Sequence, residues 1–136
     1  MRQSPIRARL CRAGISLMLA IGCMPAPTRP VVMVTPLGTE RTYPPTPDGV
    51  AIPLYAAAKP ECPFDEIAAL TAEGLRIRSV EAEVLAALRA KARSIGAHAI
   101  IDYSQGMRHS SNAMVSDDIH VRSGTAIRFR SADCMK

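Results

Sequence analysis

The 136-residue sequence has no tryptophan, and its three Tyr and two Phe are scattered instead of interleaved with Lys and Arg. That distribution excludes a base-stacking platform for single-stranded nucleic acid. No uncharged apolar run reaches the roughly 18 to 20 residues that a helix needs to cross the hydrocarbon core, so a helical membrane span is not expected. There is no Cys-x-x-Cys pair, which argues against a dithiol redox centre and a short-spaced zinc site. A Gly-x-Ser-x-Gly elbow is missing, as is a glycine-rich phosphate loop between a strand and a helix. Nothing in the chain announces catalysis, and no catalytic residue or cofactor is assigned.

The formal charge of +5 would suggest an anionic partner. Its position along the chain says otherwise. Arg2, Arg7, Arg9 and Arg12 lie in the first twelve residues, which hold no acid. Without residues 1–22 the chain keeps thirteen Lys and Arg against twelve Asp and Glu, which is nearly neutral. The cationic footprint that phosphate neutralisation requires mostly disappears with that segment, and no nucleic-acid partner is expected.

The basic stretch is followed by ten uncharged, mostly apolar residues, Ala13 to Gly22, too short for a permanent span and suited to an export signal. Leu19-Ala20-Ile21-Gly22-Cys23 resembles the lipobox of bacterial lipoproteins. The resemblance implies cleavage before Cys23, attachment of a diacylglycerol to its thiol and acylation of the new amino terminus. Several acyl chains together give stable anchoring where one does not. It further implies a cell-envelope protein facing the periplasm, with Met24, in place of the Asp associated with inner-membrane retention, pointing to the outer membrane. Residues 1–22 are thus expected to be the signal peptide. Residues 23–49, rich in Pro and Thr, are expected to be mostly a lipid-anchored tether, with Val31 to Val34 apolar enough for a short strand but not alternating.

With Cys11 in the signal and Cys23 carrying lipid, Cys62 and Cys134 remain, and an oxidising compartment favours joining them as a structural disulfide. The length of the rest fits one core.

A small domain is expected over residues 50–136. Val50 to Tyr55 alternates as a strand, confined to an edge or a bulge by Pro53. Phe64 to Leu70 fits either a strand or a helix, and Gly74 breaks the pattern beyond it. Val80 to Ile95 is the clearest element, a helix with Val80, Val84, Leu85, Leu88, Ala92 and Ile95 on one face, Ser79 placed to cap it and Gly96 to end it. Ala97 to Tyr103 alternates without proline and reads as a central strand. Ser104 to Ser116 is polar and poor in periodicity and reads as a long loop or the tip of a hairpin, expected to carry recognition. Ile119 to Val121 and Thr125 to Phe129 give two strand segments, with a turn or bulge at Gly124.

The run from Ala87 to Ile101, an alanine-rich helix ending in Gly96-Ala97-His98-Ala99 before an Ile strand, resembles YbjQ-like domains and RcsF-like envelope lipoproteins. Gly124 to Phe129 resembles the last strand of lipoproteins built on that unit. The resemblance implies an α+β fold, a small mainly antiparallel sheet with one amphipathic helix packed on it. It also assigns Phe64 to Leu70 to a strand, and in RcsF-like proteins disulfides brace the domain, which fits Cys62 and Cys134.

Two functional readings remain. The first is a lipid-anchored, non-catalytic interaction or sensor module with an envelope protein as partner. The second is a periplasmic metal or small-ligand binder using the Ser104 to Ser116 stretch; His98, His109 and His120 with Asp102, Asp117 and Asp118 could be written as a metal cluster, in which Asp118 and His120 would share a strand face. The spacings match no short ligand motif, and no metal ligand is assigned.

Overall fold

The computed structural model describes residues 29–38, 41–76, 79–112 and 115–135. The signal segment, Cys23 and the first part of the expected tether lie outside these. Four strands and a helix run in the order β1 (Val31–Pro36), β2 (Phe64–Leu75), α1 (Glu81–Ser94), β3 (Ala99–Asn112) and β4 (Val115–Phe129), and a 3-10 turn, Ala132–Met135, closes the described chain. All four strands form one antiparallel sheet in the order β1-β2-β4-β3. This is the α+β architecture expected. β2 and β3 run parallel to one another on either side of β4 and are connected through α1, a split βαβ unit.

The alternation of β2 sets the layers. Ala68, Leu70 and Ala72 are buried on the helix side, against Val84, Leu88 and Ala92 of α1. Small residues in the strand let the helix axis approach closely, and so Phe64–Leu75 is a strand despite an Ala- and Glu-rich composition that suits a helix locally. It runs through Gly74 to Leu75, beyond the interruption expected there.

Helix α1 begins one residue later than its periodicity suggests. Val80, expected on the apolar face, is the N-cap and 62% exposed, and its N–H donates to the Glu83 carboxylate at 3.1 Å. Glu81 and Glu83 in the first turn and Lys91 and Arg93 in the last complement the helix dipole. Gly96 ends the helix at φ +80°, a left-handed conformation that costs glycine little, and its N–H donates to Arg93 O at 3.0 Å.

Two expectations are corrected. Val31–Pro36 is not tether but the edge strand β1, and the Pro-rich segment after it packs on the domain. Thr46 is buried with its hydroxyl donating to Ala97 O at 2.7 Å, and Tyr43 lies under the Arg128 guanidinium at 5.0 Å. The fold therefore starts by residue 31 instead of 50. β3, expected to be central, is an outer strand, its first residues shielded by the Val50 to Tyr55 segment. Tyr55 N–H donates to Ile100 O at 2.9 Å and Ile100 N–H to Pro53 O at 3.0 Å, a short parallel bridge in which Pro53 uses only its carbonyl. Gly124 marks no turn, but it does sit at a bulge, as the single β4 residue facing Asp102 and Tyr103 of β3. β4 is continuous there, the bulges lie in β2 between Glu66 and Ala68 and in β3 between Ile101 and Ser104, and a Cβ at Gly124 would meet Ile100 Cγ2 at 2.4 Å.

On the opposite face of the sheet, Ala99, Ile101, Ile127 and Phe129 form a second small core, closed by Tyr55, Phe64 and the Cys62–Cys134 disulfide. The bridge spans 72 positions with the two Cα atoms 6.0 Å apart and ties the entry to β2 to the carboxyl-terminal turn.

Candidate functional site: the hairpin of β3 and β4

The stretch Ser104 to Ser116, read from the sequence as a long loop or the tip of a hairpin, is the hairpin, with strand over nearly all its length. β3 continues to Asn112 and β4 begins at Val115, with Ser104 opposite Ser123, Arg108 opposite Ile119, His109 opposite Asp118 and Ser111 opposite Ser116. β2 accompanies this hairpin only as far as Leu75 opposite Ile119, and the Arg76 N–H makes a last bond to Asp118 O at 2.8 Å. Beyond that level the hairpin is a two-stranded ribbon with no third strand beside it among the described residues. Its inward-pointing backbone groups pair across the ladder and its outward-pointing ones are left to water, so both of its faces can be polar.

Antiparallel pairing assembles a line of polar groups on the exposed ribbon. His109 Nδ1 lies 3.1 Å from Asp118 Oδ1, His109 Nε2 lies 2.9 Å from Ser116 Oγ, and the other Asp118 oxygen is 3.7 Å from Arg76 Nε. The hydrogen bond from His109 is the main cause holding the Asp118 carboxyl below its ordinary range; partial burial opposes it and the Arg76 charge assists. A neutral His109 that donates from Nδ1 to Asp118 accepts at Nε2 from Ser116, which fixes one tautomer across all three groups.

Serine, histidine and aspartate stand here in the hydrogen-bond order of a hydrolase relay, but exposure decides the chemistry. The His109 side chain is 63% exposed and its partners sit on a solvent-facing ribbon, so water competes for every contact, and the line lacks the enclosed surroundings that strengthen such a relay. Its effect is to order a polar surface. Adjacency in the sequence would make Ser110 the nucleophile beside His109. Adjacent strand residues point to opposite faces, and the serine that reaches the ring is Ser116. The register of the hairpin is the signal that finds it.

The other residues singled out separate from one another. His98 lies far from the ribbon, just before β3; its Nδ1 accepts the Phe129 N–H at 3.1 Å, and burial, assisted by the Arg128 charge, lowers its pKa. Asp102 stands at the β3 bulge with φ 50° and pairs with Lys59 at 3.6 Å. Asp117 is buried, and its Oδ1 accepts the Asp118 N–H at 2.8 Å. Asp118 and His120 do share a face, with Met107 opposite His120. Among the described residues no three His, Cys, Asp or Glu side chains stand close enough together to hold a metal ion. Next to His120 and Met107 a shallow depression of about 300 Å³ is bounded by Arg122, which is buried and ion-paired to Glu81 at the start of α1. Cys23, the expected lipid carrier, lies outside the described residues.

No known protein family matches the chain, and no curated protein matches it. Among solved structures, the crystal structure of a Francisella virulence factor, FvfA, in its orthorhombic form matches at 16% identity and a TM-score of 0.49, covering 76% of this chain and 100% of that one.

Proposed function

We propose that this chain is a lipid-anchored lipoprotein of the cell envelope, held on the periplasmic face of the outer membrane by Cys23. In this reading it acts as a non-catalytic interaction module that meets its surroundings through the hairpin end of the sheet. The observation that carries the proposal is Leu19-Ala20-Ile21-Gly22-Cys23 standing after a basic stretch and a short uncharged one. Two structural facts support it. Cys62 and Cys134 are joined, the arrangement expected of a domain that matures in an oxidising compartment. No helix among the described residues is long and apolar enough to cross a membrane, so attachment by lipid would supply what those helices do not.

The absence of catalysis in this reading is supported by the exposure of the Ser–His–Asp line. A surface of ordered, mutually bonded polar side chains suits recognition, because little side-chain entropy remains to be lost on contact.

The test is the mass of the amino-terminal peptide of protein expressed with its own leader and extracted from membranes. The expected peptide begins at Cys23 and carries a diacylglyceryl thioether and an acyl amide. An unmodified Cys23 in membrane-extracted protein, or a chain found wholly in the soluble fraction, would overturn the proposal.

A further inference from the structure

The chain enters the domain at one end of the sheet, and that end has a distinct surface. Arg29, Val31, Glu73, Leu75 and Ile119 border a cleft of about 270 Å³ there. The start of β1, the end of β2 and the start of α1 all lie at this level, and the hairpin of β3 and β4 extends past it. Val31 and Val80 are 58% and 62% exposed, and Met33 follows Val31 on the same face of β1. Arg29 is exposed beside them, as is Arg76, whose guanidinium lies 3.7 Å from the Asp118 carboxylate. At the opposite end stand Phe129, the disulfide and the 3-10 turn.

Chain length decides which end a lipid at Cys23 can approach. Five residues lie between Cys23 and Arg29, six chain steps that can span at most about 20 to 22 Å. Arg29 and Ile119 border the same cleft, and Phe129 is ten residues further along β4, about 33 Å away at strand rise. Cys23 cannot reach the level of the disulfide end. In the other direction the ribbon from Ile119 to Val115 projects only about 13 Å, which the same six chain steps can exceed. A chain held at Cys23 can therefore stand with its hairpin towards a bilayer and cannot stand the other way up.

We infer that the sheet end formed by Arg29, Val31, Arg76, Val80 and the exposed ribbon around Ser111 faces the lipid headgroups, with the Cys62–Cys134 end directed into the periplasm. This deepens the proposed function and rests on lipidation of Cys23. The occupant of this surface is the bilayer that carries the anchor. Isolated valines and a methionine with two arginines among them suit the interface between headgroups and acyl chains, where shallow apolar contact and attraction to phosphates act together. His109, Asp118 and Ser116 then lie at the depth where headgroup donors and acceptors take the place of water.

The absence of tryptophan makes the orientation directly measurable, since a single introduced indole is the whole signal. Val80→Trp, Ser111→Trp and Ala132→Trp replace exposed residues, the first two at the proposed membrane end and the third at the other. The processed, lipidated protein, its mass first verified, is reconstituted into phosphatidylethanolamine–phosphatidylglycerol vesicles that contain a lipid with a nitroxide on its headgroup. Indoles at 80 and 111 are expected to lose emission relative to nitroxide-free vesicles, and the indole at 132 to keep it. Should Val80→Trp fail to melt cooperatively, Ser111→Trp decides alone. Loss of emission at 132 but not at 111 would overturn the orientation while leaving the anchor intact. Full emission at all three would show the membrane end turned to something other than lipid, which also overturns it. Absence of the lipid from Cys23 would overturn the anchoring proposal first, and this inference with it.

Discussion

His109 and Asp118 face each other across the ladder of β3 and β4, nitrogen to oxygen at 3.1 Å, in a ribbon that β2 no longer accompanies. The pair fixes the register of the hairpin's far half, because a slip of one residue would put the two side chains on opposite faces. Removing the ring removes the main cause of the lowered Asp118 pKa. In His109→Ala the Asp118 carboxyl should titrate at higher pH than in the parent, as followed by carboxyl carbon chemical shifts. A depressed carboxyl stabilises the fold above its unfolded pKa, and that contribution is lost as pH falls through the folded value. The difference between the two proteins should therefore narrow at the acid end. An unchanged Asp118 titration would show that the contact is not maintained in solution.

His98 carries the same sign of linkage from a different cause, a buried neutral ring instead of a hydrogen-bonded carboxylate. Its Nδ1 accepts the Phe129 N–H, which requires the neutral ring, and burial lowers its pKa below the ordinary value of 6.5. The folded state thus resists a proton that the unfolded chain accepts. Stability is full above about pH 6.5 and is lost as pH falls from there towards the lower folded value. Melting temperature should drop on acidification through this window, and the drop should shrink in His98→Asn, whose side-chain oxygen can still accept the N–H. An equal drop in both proteins would assign the acid sensitivity to other groups.

The Cys62–Cys134 bridge closes a loop of 72 positions, for which the chain-entropy account gives about 4 to 5 kcal/mol. For a domain of this size reduction should lower the melting temperature by on the order of 10 °C or more. The loss should centre on the second small core, since Phe64, Ile127 and Phe129 pack beside the bridge. Amide exchange should accelerate first at the carboxyl-terminal end of β4 and last at Leu70 and Ala72. Reduction without any change in melting would mean that the packing around Phe129 holds the two ends together unaided.

The core elements are legible in the sequence because they obey one period each. Val84, Leu88 and Ala92 announce α1 and end at Gly96, and Ala97 to Tyr103 announces the start of β3. Phe64–Leu75 is not legible locally, since alanines and acids suit a helix; only the resemblance points to a strand, and packing under α1 explains why small residues belong there. β1 escapes because the apolar residues on its two faces serve different surroundings. Val32 and Val34 pack against the core while Val31 and Met33 stand exposed, so no alternation appears in the sequence. A hairpin tip is one of the two readings the sequence allows for residues 104–116, but the length of its strands escapes for a related reason. A ribbon outside the core has no buried face, its side chains carry no period, and its ordered feature, the line from Ser116 through His109 to Asp118, exists only after residues 109 and 118 are paired.

That the ribbon is dispensable for folding and needed for contact gives the last prediction. Past Asp118 the two strands touch only each other among the described residues, and the main cores at α1 and at the disulfide take no residue from 110–116. Replacing residues 110–117 by an Asn-Gly turn between His109 and Asp118 keeps the pair that sets the register and supplies the turn a two-residue hairpin favours. Loop-closure entropy changes slowly with length, and among the described side chains of this segment only Asp117 is buried. The shortened protein should therefore melt cooperatively within about 1 kcal/mol of the parent. It should instead lose contact at the hairpin end. With the lipid still on Cys23, an indole at Val80 should become more accessible to a soluble quencher such as iodide than in the full-length hairpin. A collapsed fold would mean that the ribbon is part of the core's cooperative unit. A stable protein with unchanged quenching at 80 would place the contact on Arg29, Val31 and Val80 alone.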